Sequence, residues 1–172
     1  PATENEAPPT NPYAGQQSRS IKGLSAQEIA DLQAGKGMGF STVAELNHVP
    51  GPSHVVALAD KLALSPRQKS DAQAAFDIMS REAKRLGAAI VAKEAALDRL
   101  FQQPSALDSE EVRRTFSEIA RLQGELRFAH LDAHVAMSRA LSPQQIAAYD
   151  RLRGYDTPDN TTNANPAHQH HH

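Results

Sequence analysis

In the stretch from Arg127 to Gln145, RFAHLDAHVAMSRALSPQQ, two histidines and a methionine stand at positions i, i+4 and i+7. On a helix turning about 100° per residue those positions fall within an arc of roughly 60°, so His130, His134 and Met137 share one face. Two neutral imidazoles and a thioether on one stripe can ligate a borderline or soft transition metal: copper, zinc, nickel or cobalt. The thioether suits Cu(I) and the nitrogens suit Cu(II), zinc, nickel and cobalt, so copper is the expected metal. The competing use of these side chains is packing, because His130 and Met137 are in register with an apolar stripe. A paired i, i+4 histidine with an in-line methionine tips the balance toward metal.

Other candidates are more scattered. Met38 lies in a turn with Gly35, Gly37 and Gly39, and His54 falls just inside a helix start, with His48 at a nearby turn. Packing is the plainer role for Met38 and exposure the plainer one for the two histidines. If two long helices reverse near residues 105 and 106, positions whose numbers total about 211 face one another across the hairpin. Glu82 then lies near His130 and Asp77 near His134, and Glu82 becomes a candidate acidic ligand. Neighbouring Lys and Arg make salt bridging its plainer role.

Several chemistries are excluded. The 172 residues contain no cysteine, which removes disulfides, thiolate metal sites and cysteine nucleophiles. There is no nucleophile elbow, phosphate loop or HExxH, and Ser65 and Ser142 read as helix caps, so an enzyme is not expected. A formal net charge of -2 with interspersed signs gives no basic stripe for nucleic acid. No apolar run approaches the length of a membrane span, so no integral membrane segment is expected.

The elements that must position these groups are helical. Hydrophobic residues make up 40% and aromatics 5%, and the scarcity of β-branched and aromatic runs argues against a sheet. Residues 1–20 read as a flexible leader, 21–155 as one helical domain, and 156–172 as a polar histidine-containing tail, native or an expression tag. A short helix begins at Ser25, which has capping-box spacing with Glu28, and stops at Gly35. Ser41 is expected to cap a second short helix ending near Asn47, and a third runs from about Pro52 to Leu62. The longest helix opens at Ser65 and extends to about Gln103, with Phe76, Met79, Ala83, Leu86, Ile90, Leu97 and Phe101 facing the core. Gly87 inside it marks either a close helix contact or a gentle bend. The second long helix, capped by Asp108 or Ser109, carries Val112, Phe116, Ile119, Leu126, Ala133 and Ala140, and a last helix spans Pro143 to about Arg153.

Leu-Ser-Pro-x-Gln occurs twice, at Leu64 to Gln68 and at Leu141 to Gln145, each time opening a helix. With these two motifs and the alanine-rich helices between them, residues 62–155 resemble the periplasmic LTxxQ-motif family of Spy and CpxP stress chaperones and CnrX-like heavy-metal sensors. The run KGMGF…AELNHVPGPSHVVALADKLALSPRQ…RFAHLDAHVAMSRALSPQQ is similar to its heavy-metal-sensor branch. The resemblance implies an all-α hooked antiparallel hairpin, often a homodimer, exported and freed of its signal peptide, in keeping with a chain that starts at Pro1. It also implies histidine and methionine ligands on the second long helix. His130, His134 and Met137 match these in kind, although two residues separate His134 from Met137 where the sensors have three.

The leading expectation is a periplasmic protein that buffers or senses copper, or a similar metal, in heavy-metal resistance, acting with an envelope sensor protein. The alternative is an ATP-independent holdase for unfolded clients. A purely structural helical module is the third reading.

Overall fold

The computed structural model describes residues 11–156. Its elements follow from local signals: six α-helices, α1 Ala26–Ala34, α2 Thr42–Glu45, α3 Pro52–Ala57, α4 Pro66–Phe101, α5 Ser109–Ala140 and α6 Pro143–Arg153. Strands are absent among the described residues.

The two long helices are started by side chains. Ser65 Oγ accepts the Gln68 N–H, while the Gln68 side chain accepts the Ser65 N–H, closing a reciprocal capping box with Pro66 in the first turn. Ser142, Pro143 and Gln145 repeat the arrangement at α6. Asp108 accepts the Glu110 N–H at the start of α5, where Glu110 and Glu111 also favour the positive end of the helix dipole. Gly35 and Gly154, at φ 67° and 81°, end α1 and α6 in the left-handed conformation that glycine tolerates best.

The two opening motifs then meet. The Gln68 and Gln145 amides bond each other in both directions, at 2.7 and 2.9 Å. Their remaining N–H groups reach the carbonyls of Ala140 and Leu62. The repeat is therefore a lock: each glutamine caps its own helix and ties it to the other, leaving no amide donor unpaired.

α4 and α5 form the antiparallel hairpin, turned by a 3₁₀ segment, Pro104–Ala106. A Lys93–Glu118 ion pair bridges them at the expected register. α1 lies across α4 at Gly87, where a Cβ would stand 1.9 Å from the Leu32 carbonyl oxygen. Gly87 is thus a contact point between backbones. α3 packs on both long helices and α2 on α5, making the hook.

Two apolar clusters result. One, at the locked end, contains Val55, Leu62, Leu64, Ala72, Ala75, Met137, Leu141 and Tyr149. The other, under α1, contains Leu24, Leu32, Ala83, Leu86, Ile90, Leu122 and Leu126. Three expectations change. Phe101 and Phe116, assigned to the core by spacing, are 54% and 59% exposed, because they lie beyond the reach of α1 and the hook. α3 stops at Ala57 and the chain reaches Leu64 through turns, with Ala63 at φ 50°. Ser41 starts α2 without a side-chain cap bond.

Candidate metal centre

Between the two clusters the α5 stripe turns polar. His130 and His134 are 2% and 5% exposed, the only buried histidines among the described residues. Both line a cleft of about 720 Å³ whose walls come from the end of α1, the glycine-rich turn, α2, the start of α3 and the α4 segment holding Phe76, Met79 and Lys84. The Gly35 turn fits tightly on that segment, since a Cβ there would stand 3.2 Å from the Lys84 backbone nitrogen.

His134 is held in one orientation. Its Nδ1–H donates to the Val49 carbonyl at 2.8 Å, which leaves Nε2 as the ring's lone-pair nitrogen. A Cβ on Gly51 would sit 2.8 Å from that Nε2 and from Cε1, so glycine is what lets the ring pack this closely against the backbone. His130 packs against the Phe40 ring at a centroid distance of 5.5 Å. Its Nε2 is buried without a hydrogen-bond partner. Burial pushes the His130 pKa down, and the neighbouring His134 adds to this. Burial and then Arg153 do the same for His54, against an opposing pull from Glu45. Such imidazoles stay neutral, the form that ligates.

Beside the histidines is a carboxylate that sequence spacing did not reveal. Glu45 Oε1 accepts from the Tyr149 hydroxyl at 2.6 Å, the Tyr155 hydroxyl at 3.1 Å and Arg153 Nε at 3.3 Å. Its Oε2 lies 3.9 Å from His134 Nδ1. Burial, followed by the Glu45 hydrogen bond, holds the Tyr149 phenol above its ordinary range. His48, at φ 63°, pairs with Asp150 at 2.9 Å and fastens the same turn to α6. These partners are distant in sequence, so no local spacing could have announced them.

The expected ligands separate into two groups. His54, Met38, His130 and His134 all line the cleft, joined by Met79, which sequence reading assigned to the core. Met137 and Glu82 are not brought there. Met137, 1% exposed, is one turn beyond His134, where the stripe enters the locked-end core. Glu82 lies on another side of α4, in a groove with Phe128 and Asp132, and binds Arg85 at 2.7 Å. That bond lowers its pKa. Asp77 accepts from Gln73 on the surface.

Among the described residues no three His, Asp or Glu side chains form a ready-made metal-holding group. Two features still fit a metal ion: the unpartnered Nε2 of His130 and the place of His134 on the same cleft with its Nδ1 already bonded to Val49, which leaves Nε2 as its free donor. A bound ion would accept the lone pairs of these nitrogens.

Fold and site together define a hooked helical hairpin with an imidazole-lined cleft interrupting its core. The heavy-metal resistance family model matches residues 41–148, and the chain belongs to that family. The match takes in both capping motifs and the two buried histidines. Comparisons with curated proteins and with solved structures returned no match. No helix among the described residues is long and apolar enough to cross a membrane.

Proposed function

We propose that this is a non-enzymatic periplasmic metal-binding protein that buffers or senses a transition metal, with copper favoured, through His130 and His134. His54 and the Met38 thioether stand on the same cleft as further donors. The observation carrying the reading is the buried, unpartnered Nε2 of His130 on a cleft shared with a second imidazole, His134, held in one orientation by Val49. Leaving a buried polar atom unsatisfied costs about 1–3 kcal/mol, an arrangement that a ligand can offset.

The test is calorimetric titration of Cu, Zn, Ni and Co into the full chain with His168, His170, His171 and His172 replaced by Ala. That substitution removes tail binding. Stoichiometric binding, weakened at least about tenfold by His130→Ala/His134→Ala, is the expected result. Unchanged affinity in that double variant overturns the assignment.

A second reading, a holdase for unfolded chains, is favoured by the exposed apolar side chains of Ile78, Phe116 and Phe128. It predicts metal-independent suppression of client aggregation that Phe116→Ser/Phe128→Ser abolishes. The same exposed side chains would serve a homodimer.

A further inference from the structure

Three features of the cleft go beyond what a bare cation requires. The first is size. About 720 Å³ is the volume of a small-molecule pocket, far more than a single ion needs. The second is donor count. Because His54 forms no three-residue ligand group with His130 and His134 among the described residues, these two imidazoles would leave two positions of a four-coordinate ion to be filled by a cleft thioether or by groups brought with the metal.

The third is charge. Lys36, Lys84 and Arg153 line the cleft, and Glu45 is its one carboxylate. That carboxylate is already engaged by Arg153 and two tyrosines. Lys36 and Lys84 enter no ion pair among the described residues, whose paired lysines are Lys22, Lys69 and Lys93. Two uncompensated ammonium groups repel a bare divalent cation and attract an anion. The cleft thus joins metal-ligating nitrogens to a surplus of positive charge, a combination that a negatively charged chelator on the metal would resolve.

Resting on the metal-binding reading above, we propose that the cleft takes its metal together with a small anionic chelator of the amino- or hydroxycarboxylate class. The protein imidazoles fill the metal's open positions, and Lys36 and Lys84 meet the chelator's carboxylates. Phe76 and Met79 supply an apolar wall against which its carbon skeleton rests.

Two preformed copper complexes of equal denticity and different charge test this. Cu(II)–iminodiacetate is neutral overall and carries carboxylates, whereas Cu(II)–diethylenetriamine is a dication without them. Each is titrated into the full chain with its tail histidines replaced by Ala, beside aqueous Cu(II). Coordinated imidazole is followed by nitrogen hyperfine structure in the electron spin resonance spectrum. The expected result is at least tenfold tighter binding of the iminodiacetate complex. Lys36→Gln/Lys84→Gln should reduce that preference at least fivefold while leaving the affinity for aqueous Cu(II) equal or higher. Both lysines are on the surface, so the variant should keep its fold, which circular dichroism checks.

Equal binding of the two complexes, or a preference indifferent to the lysines, overturns the proposal while leaving the metal site standing. Failure of aqueous Cu(II) and both complexes to engage His130 and His134 overturns the metal-binding reading as well.

Discussion

The hairpin encloses polar side chains at two levels, half-buried glutamines at one and buried histidines at the other, and treats them oppositely. At the locked end, the Gln68 and Gln145 amides are fully used, each bonded to its own cap, to the other amide and to a distant carbonyl. Farther along the hairpin, His134 makes one bond to Val49, and the Nε2 of His130 makes none. A closed polar network specifies structure, whereas an open one in the same core retains capacity for something else.

Breaking the fastening should have the largest effect. Gln68→Leu strands the Ala140 carbonyl and the Gln145 amide, and a loss of about 2–4 kcal/mol in urea-unfolding stability is expected. Metal affinity per folded molecule should stay within about twofold, because the cleft histidines are positioned by other contacts.

At the open level the sign reverses. His130→Leu removes the unsatisfied nitrogen and should raise the stability of the metal-free protein by about 1 kcal/mol while abolishing metal binding. A Gln68-like loss on this substitution would erase the distinction between the two levels.

Acid sharpens the same contrast. The folded pKa of His130 is depressed by burial, so the unfolded chain takes up the proton first. Stability of the metal-free protein should therefore fall as pH drops through the ordinary histidine range near 6.5, and level off below the depressed value. His130→Leu should flatten that slope in pH-dependent urea unfolding, whereas the glutamine lock, having no titrating group, should add nothing to it.

The smallest substitution is Gly51→Ala. Its backbone, at φ -95° and ψ 149°, accommodates alanine, but the methyl would stand 2.8 Å from the buried His134 ring, so the ring must shift and a stability loss of about 1–3 kcal/mol is expected. The added methyl occupies the space beside Nε2 of His134, so copper affinity measured by calorimetry should fall several-fold. Unaltered affinity would mean that His134 does not present that nitrogen to the ion.

Residues that act on near neighbours were legible in the sequence. Ser65 and Ser142 cap as their motifs require, Gly35 and Gly154 stop their helices, and Lys93 meets Glu118 at the residue total expected of the hairpin register. Register gives the level at which two helices face each other but not the direction of each side chain around the axis. Glu82 accordingly reached the level of residues 125–132 on a side of α4 away from the histidines. Periodicity likewise assigned Met137 to the histidine stripe without showing that this stripe leaves the cleft and enters the core. The Glu45 hub was invisible because its bonds to Tyr149, Arg153 and Tyr155 span more than a hundred positions. Lys36 and Lys84 gained meaning only when the α1 turn closed against α4.

The seat of Leu32 on Gly87 has a consequence for the order of assembly. Contacts between α4 and α5 need only a short turn to close, whereas docking α1 must fix the whole intervening hook and so carries a larger loop-closure cost. The hairpin is expected to form first, with α1 and the glycine-rich turn arriving last. Six of the cleft's twenty lining residues, 34–39, arrive with that final step, so any residue with a side chain at position 87 would delay or prevent completion of the binding site while leaving the scaffold beneath it folded.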